Sequence, residues 1–353
     1  MKLSKYFRAI KKVLNGEKCI KIKFLDTGKG LFDLDNEYPF SQENDFVGKI
    51  ITIDGIGWSG SSAVTDFLGE FGECLVLGGV DLNENPDRGE ENNFECDFFR
   101  NPHSIYELEK ICYNHTTRVG DTAIYEFIDT VNHNYRFGPK LLFHNDNYLS
   151  CSKEFLNNII DYKTVLCGKT RYIVKKLSVS KYRKYAQEYI HKIFTMLPKE
   201  KFIVFDQLLS IDDPDENIVK DYFGETTKVI YVWRDPRDIY ASARLAGASG
   251  DWVPTDPELF VRWYTFSFPD YYSNKSENLL VLRFEDFVLD YENSANTIIN
   301  FTGFDSNKHL KKKTFFNPDI SKNNIGIYKK IEDKYLKELE YIEKNLKQYC
   351  FYG

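Results

Sequence analysis

The stretch KIITIDGIGWSGSSAVTDFLGEF, residues 49–71, decides the fold. It opens with an apolar, β-branched run at 50–53 that predicts a buried strand. The small residues of GIGWSGSS, 55–62, then predict a tight turn. Apolar residues recur after the turn at helical spacing: Ala63, Val64, Phe67, Leu68 and Phe71. A strand, a turn and a helix in direct succession indicate the opening unit of a parallel α/β sheet.

Three later apolar runs have the length of strands and lead into polar residues, at 202–205, 229–233 and 279–282. Continuous apolar strands interleaved with helical patterns are typical of a parallel sheet that is covered on both faces. The predicted fold class is therefore α/β, a parallel sheet flanked by helices in a three-layer sandwich.

The chain divides by composition into an N-terminal basic arm with its connection, 1–47, and a main domain, 48–353. Within the domain, residues 86–195 show weak periodicity, and we expect helices and loops there over the carboxyl end of the sheet, where open α/β folds bind ligands. Apolar residues at intervals of three and four predict a terminal helix at 331–349.

Composition excludes several classes of protein. A formal net charge of −6 over 353 residues argues against a nucleic-acid binder. The seven cysteines are scattered without a CxxC pair, so we expect reduced thiols in a cytoplasm and no metal site. No apolar run approaches the roughly 18 residues that a membrane-spanning helix needs.

The arm leaves two interpretations open. Nine Lys and Arg residues in the first 30, against Glu17 and Asp26, are compatible with a basic helix on an anionic membrane surface. The alternative is a terminal helix that docks on the domain with its basic face in solvent. A peripheral position at the inner face of a membrane therefore stays open.

The turn has the chemistry of an anion site. Glycines let the backbone approach a ligand closely, serine hydroxyls can cap the helix or donate, and the N–H groups at a helix start attract anions. The turn contains no lysine, whereas a phosphate-loop NTPase carries GxxxxGK[ST]. Hydrolysis of ATP or GTP is therefore disfavoured, and a purely structural turn is the alternative.

A second stretch, YVWRDPRDIYAS at 231–242, also has the chemistry of an anion site. A strand that ends at Trp233 brings Arg234 to the carboxyl edge of the sheet, and Pro236 suits the first turn of the next helix. Ser242 follows about two turns later, so a guanidinium and a hydroxyl could bind one phosphate.

The alternative for this stretch is an Arg/Asp network at the start of a helix. In that interpretation Arg237 pairs with Asp235 or Asp238, and no ligand is involved.

Together these stretches resemble the sulfotransferase family, enzymes of the phosphate-loop fold that use 3′-phosphoadenosine 5′-phosphosulfate (PAPS). The sequence LLVLRFEDFVLD, 279–290, is similar to a further family element, and SKNNIGIYKK, 321–330, resembles the loop that closes over the nucleotide. The resemblance implies PAPS as the donor, with no metal. It implies that the 5′-phosphosulfate is held by the first loop: Gly57, Trp58, Ser59, Gly60, Ser61 and Ser62. It implies that the 3′-phosphate is held by Arg234, Ser242, Ser321, Lys322 and Asn323.

Trp58 departs from the family pattern, which carries Lys or Arg at this position. That cation neutralises charge on the oxygen that bridges to the leaving sulfuryl group. Lys169 or Arg171 could replace it. Trp58 itself could stack on an acceptor sugar or fill the mouth of the loop.

The transfer also needs a general base for the acceptor hydroxyl. The family places a histidine or carboxylate after the strand that matches KFIVFDQLLS, 201–210, so the resemblance implies Asp206, with Gln207 beside it. His144 and Glu70 are further candidates. Alternatively, Asp206 caps the next element and has no role in the chemistry.

The RDPRD variant and the late loop are similar to the carbohydrate-directed branch of the family, which implies a saccharide acceptor in a surface polysaccharide or glycolipid precursor. Two other functions stay open. One is a nucleotide or nucleoside kinase of the same fold, and the other is a non-catalytic binder of nucleotide or glycan in which Trp58 marks lost chemistry.

Overall fold

The computed structural model describes residues 32–40, 48–77, 103–113, 121–137, 146–166, 169–196, 202–206, 208, 216–250, 253–267 and 276–353. Most of the predicted arm, together with His144 and Gln207, lies outside these residues. The chain divides into two compact units. The described parts of the larger unit fall within 32–234 and 267–323, and those of the smaller unit fall within 235–266 and 324–353.

The larger unit contains all the strands that the structure describes. In chain order they are β1 (Lys49–Asp54), β2 (Cys74–Leu77), β3 (Ile160–Leu166), β4 (Lys169–Val174), β5 (Phe202–Asp206), β6 (Lys228–Trp233) and β7 (Leu279–Arg283). Five of them form one sheet in the order β2-β5-β1-β6-β7, and every neighbouring pair is parallel. The predicted parallel α/β sheet is confirmed.

Both units contain α-helices. In chain order they are α1 (Ser61–Gly69), α2 (His103–Tyr113), α3 (Asp121–Phe137), α4 (Asp146–Ile159), α5 (Val179–Phe194), α6 (Glu216–Phe223), α7 (Pro236–Leu245), α8 (Pro257–Ser267), α9 (Phe284–Leu289), α10 (Tyr291–Thr302), α11 (Pro318–Ser321) and α12 (Leu336–Asn345). Within the described ranges, none is long and apolar enough to cross a bilayer.

Successive side chains of a strand point to opposite faces of the sheet, and both faces of this sheet are buried. On β5, Ile203 and Phe205 join a buried cluster with residues of helices α2 to α6. Their neighbour Phe202 points the other way, where its ring lies 4.4 Å from that of Phe304. Helix α1 packs through Val64, Phe67 and Leu68, the stripe that the sequence predicted.

The antiparallel pair β3 and β4 was missed by the sequence analysis. Every residue of β3 after Ile160 is exposed, so this strand has no buried face and no alternation of apolar residues. A periodic pattern arises only where one face of a strand is buried. The region 86–195 therefore contains a hairpin as well as the expected helices.

The smaller unit ends in helix α12, which is shorter than the predicted 331–349. Turns of 3₁₀ helix at Asp333–Tyr335 and Lys347–Tyr349 flank it. A 3₁₀ turn also places residues i and i+3 on one side. The apolar spacing therefore continues past the ends of the α-helix itself.

Candidate functional site

Polar residues stand at the carboxyl ends of four neighbouring strands in the larger unit. Asp206 ends β5, Asp54 ends β1 and Arg283 ends β7, while Arg234 follows the last residue of β6. Parallel strands end at the same edge of a sheet, and ligands of open α/β folds bind outside that edge. The strand ends therefore define the candidate site.

The turn after β1 contains two residues in the left-handed region. Gly60 has φ 90°, as expected of a glycine, but the other position is Trp58 with φ 66°. Gly55 is needed for a different reason, because a Cβ there would lie 2.4 Å from Ser59 Oγ and 2.4 Å from the carbonyl oxygen of Val232. Position 55 therefore requires glycine because there is no room for a Cβ, and position 60 favours glycine because its φ is positive.

Helix α1 begins at this turn without a side-chain cap. Its N-cap is Gly60, so the expectation that a serine caps the helix is wrong. The first N–H groups of an α-helix have no acceptor within the helix, and they carry partial positive charge. Because Gly60 has no side chain, no side-chain cap competes with a ligand for these donors, of which the N–H of Ala63 donates to the Gly60 carbonyl at 3.1 Å.

Ser59 adds a second donor group to the turn. The residue is fully buried, and its Oγ has no hydrogen-bond partner among the residues that the structure describes. Its backbone N–H donates to the carbonyl of Ile56 at 3.0 Å. Buried polar groups in folded proteins normally have a hydrogen-bond partner, so Ser59 Oγ is a candidate contact for a bound anion.

Arg234 is bonded to the same turn. Its guanidinium donates from Nη1 to the carbonyl oxygen of Trp58 at 3.0 Å, and the residue is only 5% exposed. The guanidinium carbon lies 5.2 Å from the ring centroid of Phe284. The same ring limits the turn at Gly60, where a Cβ would lie 2.3 Å from it. Arg234 and Phe284 therefore both support the turn after β1.

The Arg/Asp pairing that the alternative interpretation of YVWRDPRDIYAS predicted is present at Arg237. Within the smaller unit, Arg237 Nη2 lies 2.7 Å from Asp235 Oδ2, and both side chains are buried. Burial lowers the pKa of Arg237, but the hydrogen bond and charge of Asp235 outweigh it and raise that pKa. The Asp238 carboxylate accepts from the N–H groups of Gly326 and Tyr328. These bonds all join residues of the smaller unit.

The residues expected at the 3′-phosphate fall in both units. Ser242 lies in α7 of the smaller unit and is 9% exposed. Ser321 ends α11 in the larger unit, and the Lys322 ammonium pairs with Asp319 at 2.9 Å. Lys322 and Asn323 are exposed. A shared role at a 3′-phosphate stays a prediction from the sequence.

Asp206 occupies the predicted place at the end of β5, where it pairs in register with Ile53 of β1. Its role as the general base stays a prediction from the sequence.

The segment just after Asp206 is held by a buried polar chain that the sequence analysis missed. Thr52 donates its hydroxyl to Asp54 Oδ2 at 2.6 Å and accepts from the Leu208 N–H at 3.1 Å. The Tyr106 hydroxyl donates to the carbonyl of Leu208 at 3.2 Å. Burial and the Asp54 carboxylate raise the pKa of Tyr106 well above its usual range, so the phenol stays a donor.

Glu70, a weaker candidate for the base, is bonded to a loop instead. Its carboxylate is buried and bonds His309 Nε2 at 2.6 Å. It also accepts from the N–H groups of Lys313, Phe315 and Phe316. A carboxylate that holds four donors in the folded protein is well suited to fixing this loop.

The two cations considered as substitutes for the missing loop lysine both lie on β4. Lys169 is exposed and Arg171 is partly buried. Among the described residues, no group of His, Cys, Asp and Glu could hold a metal ion.

No model of a protein family matches the sequence, and no curated protein sequence matches it. Solved structures do show similarity. One is a retinol dehydratase in complex with androsterone and "inactive cofactor PAP", 15% identical over 86% of this chain and 82% of its own, with a TM-score of 0.35.

Two further similar structures are sulfotransferases. The sulfotransferase domain from the curacin biosynthetic pathway is 13% identical over 86% of this chain and 98% of its own, with a TM-score of 0.38. A sulfotransferase from Alicyclobacillus acidocaldarius is 12% identical over 83% of this chain and 94% of its own, with a TM-score of 0.36. Because these identities and TM-scores are low, the function has to rest on residues of this chain.

Proposed function

We propose that the chain is a sulfotransferase that transfers a sulfuryl group from PAPS to a hydroxyl of a saccharide. The observation that carries the proposal is the turn at 55–60. It presents the buried Ser59 hydroxyl, which has no partner among the described residues, at the start of a helix whose N-cap is a glycine. Such a turn suits a phosphate or a sulfate group.

In the proposed reaction the turn holds the 5′-phosphosulfate, and the acceptor oxygen attacks the sulfur. The bond between sulfur and the bridging oxygen breaks, and its electron pair stays on the phosphate. The proton of the acceptor hydroxyl passes to Asp206, the proposed general base. The products are a sulfate ester and adenosine 3′,5′-bisphosphate.

The saccharide acceptor is supported by Trp58 and by the resemblance to the carbohydrate-directed branch. Trp58 is 37% exposed although it belongs to the turn, so its indole presents a flat apolar surface beside the proposed donor site. Aromatic rings bury large apolar surfaces at little cost in conformational freedom. We therefore propose that the indole packs on a sugar ring.

Trp58 also favours a second candidate, a binder of nucleotide or glycan without transferase activity. A tryptophan stands where a cation would neutralise the bridging oxygen, and such charge stabilisation is often the largest part of catalysis. The Trp58→Lys variant separates the two candidates. A gain in transfer from a silent protein would indicate lost chemistry, whereas an active wild type supports the first candidate.

Binding of adenosine 3′,5′-bisphosphate tests the proposal directly. We expect a ligand at 100 times its Kd to stabilise the protein by about 2.7 kcal/mol in thermal unfolding, while adenosine has no effect. Arg234→Ala should weaken binding, and the matched control is Arg262→Ala, a surface arginine paired with Glu258. No stabilisation of the wild type by the bisphosphate would refute the proposal.

Transfer from sulfur-labelled PAPS to a panel of saccharides and phenols tests the acceptor class. Asp206→Asn should leave bisphosphate binding intact and reduce turnover by about 100-fold or more, because general-base catalysis contributes that much. A variant with full activity would exclude Asp206 as the base. The roles of Ser242, Ser321, Lys322 and Asn323 are tested by single alanine variants in the same binding assay.

We further propose a cytoplasmic location, with contact to the inner face of a membrane through the arm at 1–47. Of the described cysteines, Cys74, Cys112, Cys151 and Cys350 form no disulfide, and disulfides are rare in reducing compartments. Cell fractionation of the full chain and of a variant without the arm tests the location.

A further inference from the structure

The turn after β1 is held in a conformation that its sequence does not favour. Trp58 adopts φ 66°, a region that residues with a Cβ rarely occupy. Such a conformation persists only where surrounding contacts impose it. The contacts on this peptide therefore decide whether the turn keeps its shape.

Both polar groups of the peptide between Trp58 and Ser59 are bonded. The Trp58 carbonyl accepts from Arg234 Nη1 at 3.0 Å, and the Ser59 N–H donates to the Ile56 carbonyl at 3.0 Å. A peptide unit is planar, so two bonds on opposite sides fix its orientation. The bond to Ile56 is local, whereas the bond to Arg234 comes from the end of another strand.

Arg234 is itself held in place. It is 5% exposed, and its guanidinium lies over the ring of Phe284, which is 3% exposed. That ring also lies against Gly60, the second left-handed residue of the turn. One arginine and one phenylalanine therefore support both unusual backbone positions.

From this geometry we infer that Arg234 is a positioning residue for the turn, in addition to the role at the 3′-phosphate that the resemblance implies. It holds Trp58 in the left-handed conformation and so orients the N–H groups that follow. This inference rests on the proposed function, in which those N–H groups bind the 5′ end of the donor. Loss of Arg234 should therefore weaken a ligand that has no 3′-phosphate.

Adenosine 5′-phosphosulfate, which lacks the 3′-phosphate, is the probe for this effect. By calorimetry we expect Arg234→Ala to weaken its binding by about tenfold, the effect of losing a hydrogen bond from a charged group. In the Trp58→Gly background the same substitution should weaken binding by about twofold or less, because glycine adopts positive φ without support from Arg234. Arg262→Ala is the control and should leave the affinity unchanged.

The opposite result would overturn the inference. If Arg234→Ala binds adenosine 5′-phosphosulfate as the wild type does and loses only the bisphosphate, Arg234 serves the 3′-phosphate alone. An equal loss of affinity in both backgrounds would also exclude Arg234 as a positioning residue. If the alanine variant does not fold, Arg234→Gln replaces it, because its amide cannot reach the carbonyl as the guanidinium does.

Thermal unfolding without ligand separates this inference from the proposed function. We expect Arg234→Ala to lower Tm less in the Trp58→Gly background than in the wild type, since the two residues are coupled. If the wild type binds neither nucleotide but this coupling is present, the sulfotransferase proposal fails and Arg234 remains a positioning residue. Additive changes in Tm would exclude the positioning role, whether or not the nucleotides bind.

Discussion

The turn after β1 and the turn after β6 both lead from a parallel strand into a helix, but they treat the helix N-terminus differently. Helix α7 is capped by Asp235, whose carboxylate accepts from the N–H of Arg237 and pairs with the guanidinium of the same residue. Helix α1 has a glycine N-cap and no side-chain bond. The turn after β6 caps its helix with a side chain, whereas the turn after β1 leaves that capping position open to a ligand.

The difference separates a structural turn from a binding turn that looks equally polar in sequence. The turn after β6 is rich in charge, but its arginine at 237 and its aspartate at 235 neutralise each other in a buried pair. The turn after β1 has no charged side chain of its own and takes support from Arg234. Unsatisfied donors, rather than charge, mark the candidate site.

The largest change in stability is expected in the turn after β6, where Asp235 and Arg237 bond each other. Asp235→Ala leaves the Arg237 guanidinium buried without its main partner, which should lower the free energy of unfolding by about 3–5 kcal/mol. Urea denaturation measures the loss. The control is Glu343→Ala, because Glu343 pairs with the same arginine at 3.1 Å but is 42% exposed. We expect less than about 1 kcal/mol there, and equal losses would contradict the contrast.

In the binding turn, Gly60→Ala should be the most damaging substitution. Gly303 offers a matched control, since it has φ 78° and open space around a Cβ, whereas a Cβ on Gly60 meets Phe284. Both variants lose about 1–2 kcal/mol to backbone strain. Gly60→Ala should lose about 1–3 kcal/mol more because the ring must shift. Equal stabilities in urea would show that Phe284 gives way freely.

Ser59→Ala should separate binding from stability. Removing a buried hydroxyl that has no partner among the described residues should change the free energy of unfolding by less than about 0.5 kcal/mol. It should weaken bisphosphate binding by about fivefold. Ser294 is the control, because its buried hydroxyl donates to the carbonyl of Asp286 at 3.1 Å. Ser294→Ala should cost about 1 kcal/mol in stability and leave binding unchanged. The reverse pattern would place the ligand elsewhere.

A small effect of the opposite sign is expected for Trp58→Gly in the absence of ligand. Relief of the left-handed strain should raise the free energy of unfolding by about 1 kcal/mol or less. Lys313 has φ 57° and is exposed, so Lys313→Gly measures the same strain away from the turn. A clear loss of stability in the first variant alone would mean that the indole packs on the protein more than its exposure indicates.

The apolar runs made the sheet predictable. Strands buried on both faces need continuous apolar residues, and those at 50–53, 202–205, 229–233 and 279–282 all lie within strands of the sheet. The exposed strand β3 has no such constraint and could not be recognised. The start of α7 at Pro236 was predictable because proline is favoured in the first turn of a helix.

The contacts at the site were less predictable, since they join residues far apart in the chain. The sequence indicated that Arg234 and the serine-rich turn matter, but it could not show that the guanidinium bonds to the Trp58 carbonyl. The alternation of Thr52 and Asp54 within an apolar strand was an available signal for a buried polar chain. Polar residues two apart on a strand share a face, and on a buried face they need partners.

The attachment of a whole loop to Glu70 has a consequence for its motion. The amides of Lys313, Phe315 and Phe316 all donate to one carboxylate. When a single acceptor protects several amides, they lose protection in one opening event. In deuterium exchange these three positions should therefore share one protection factor, and Glu70→Gln should lower it at all three together.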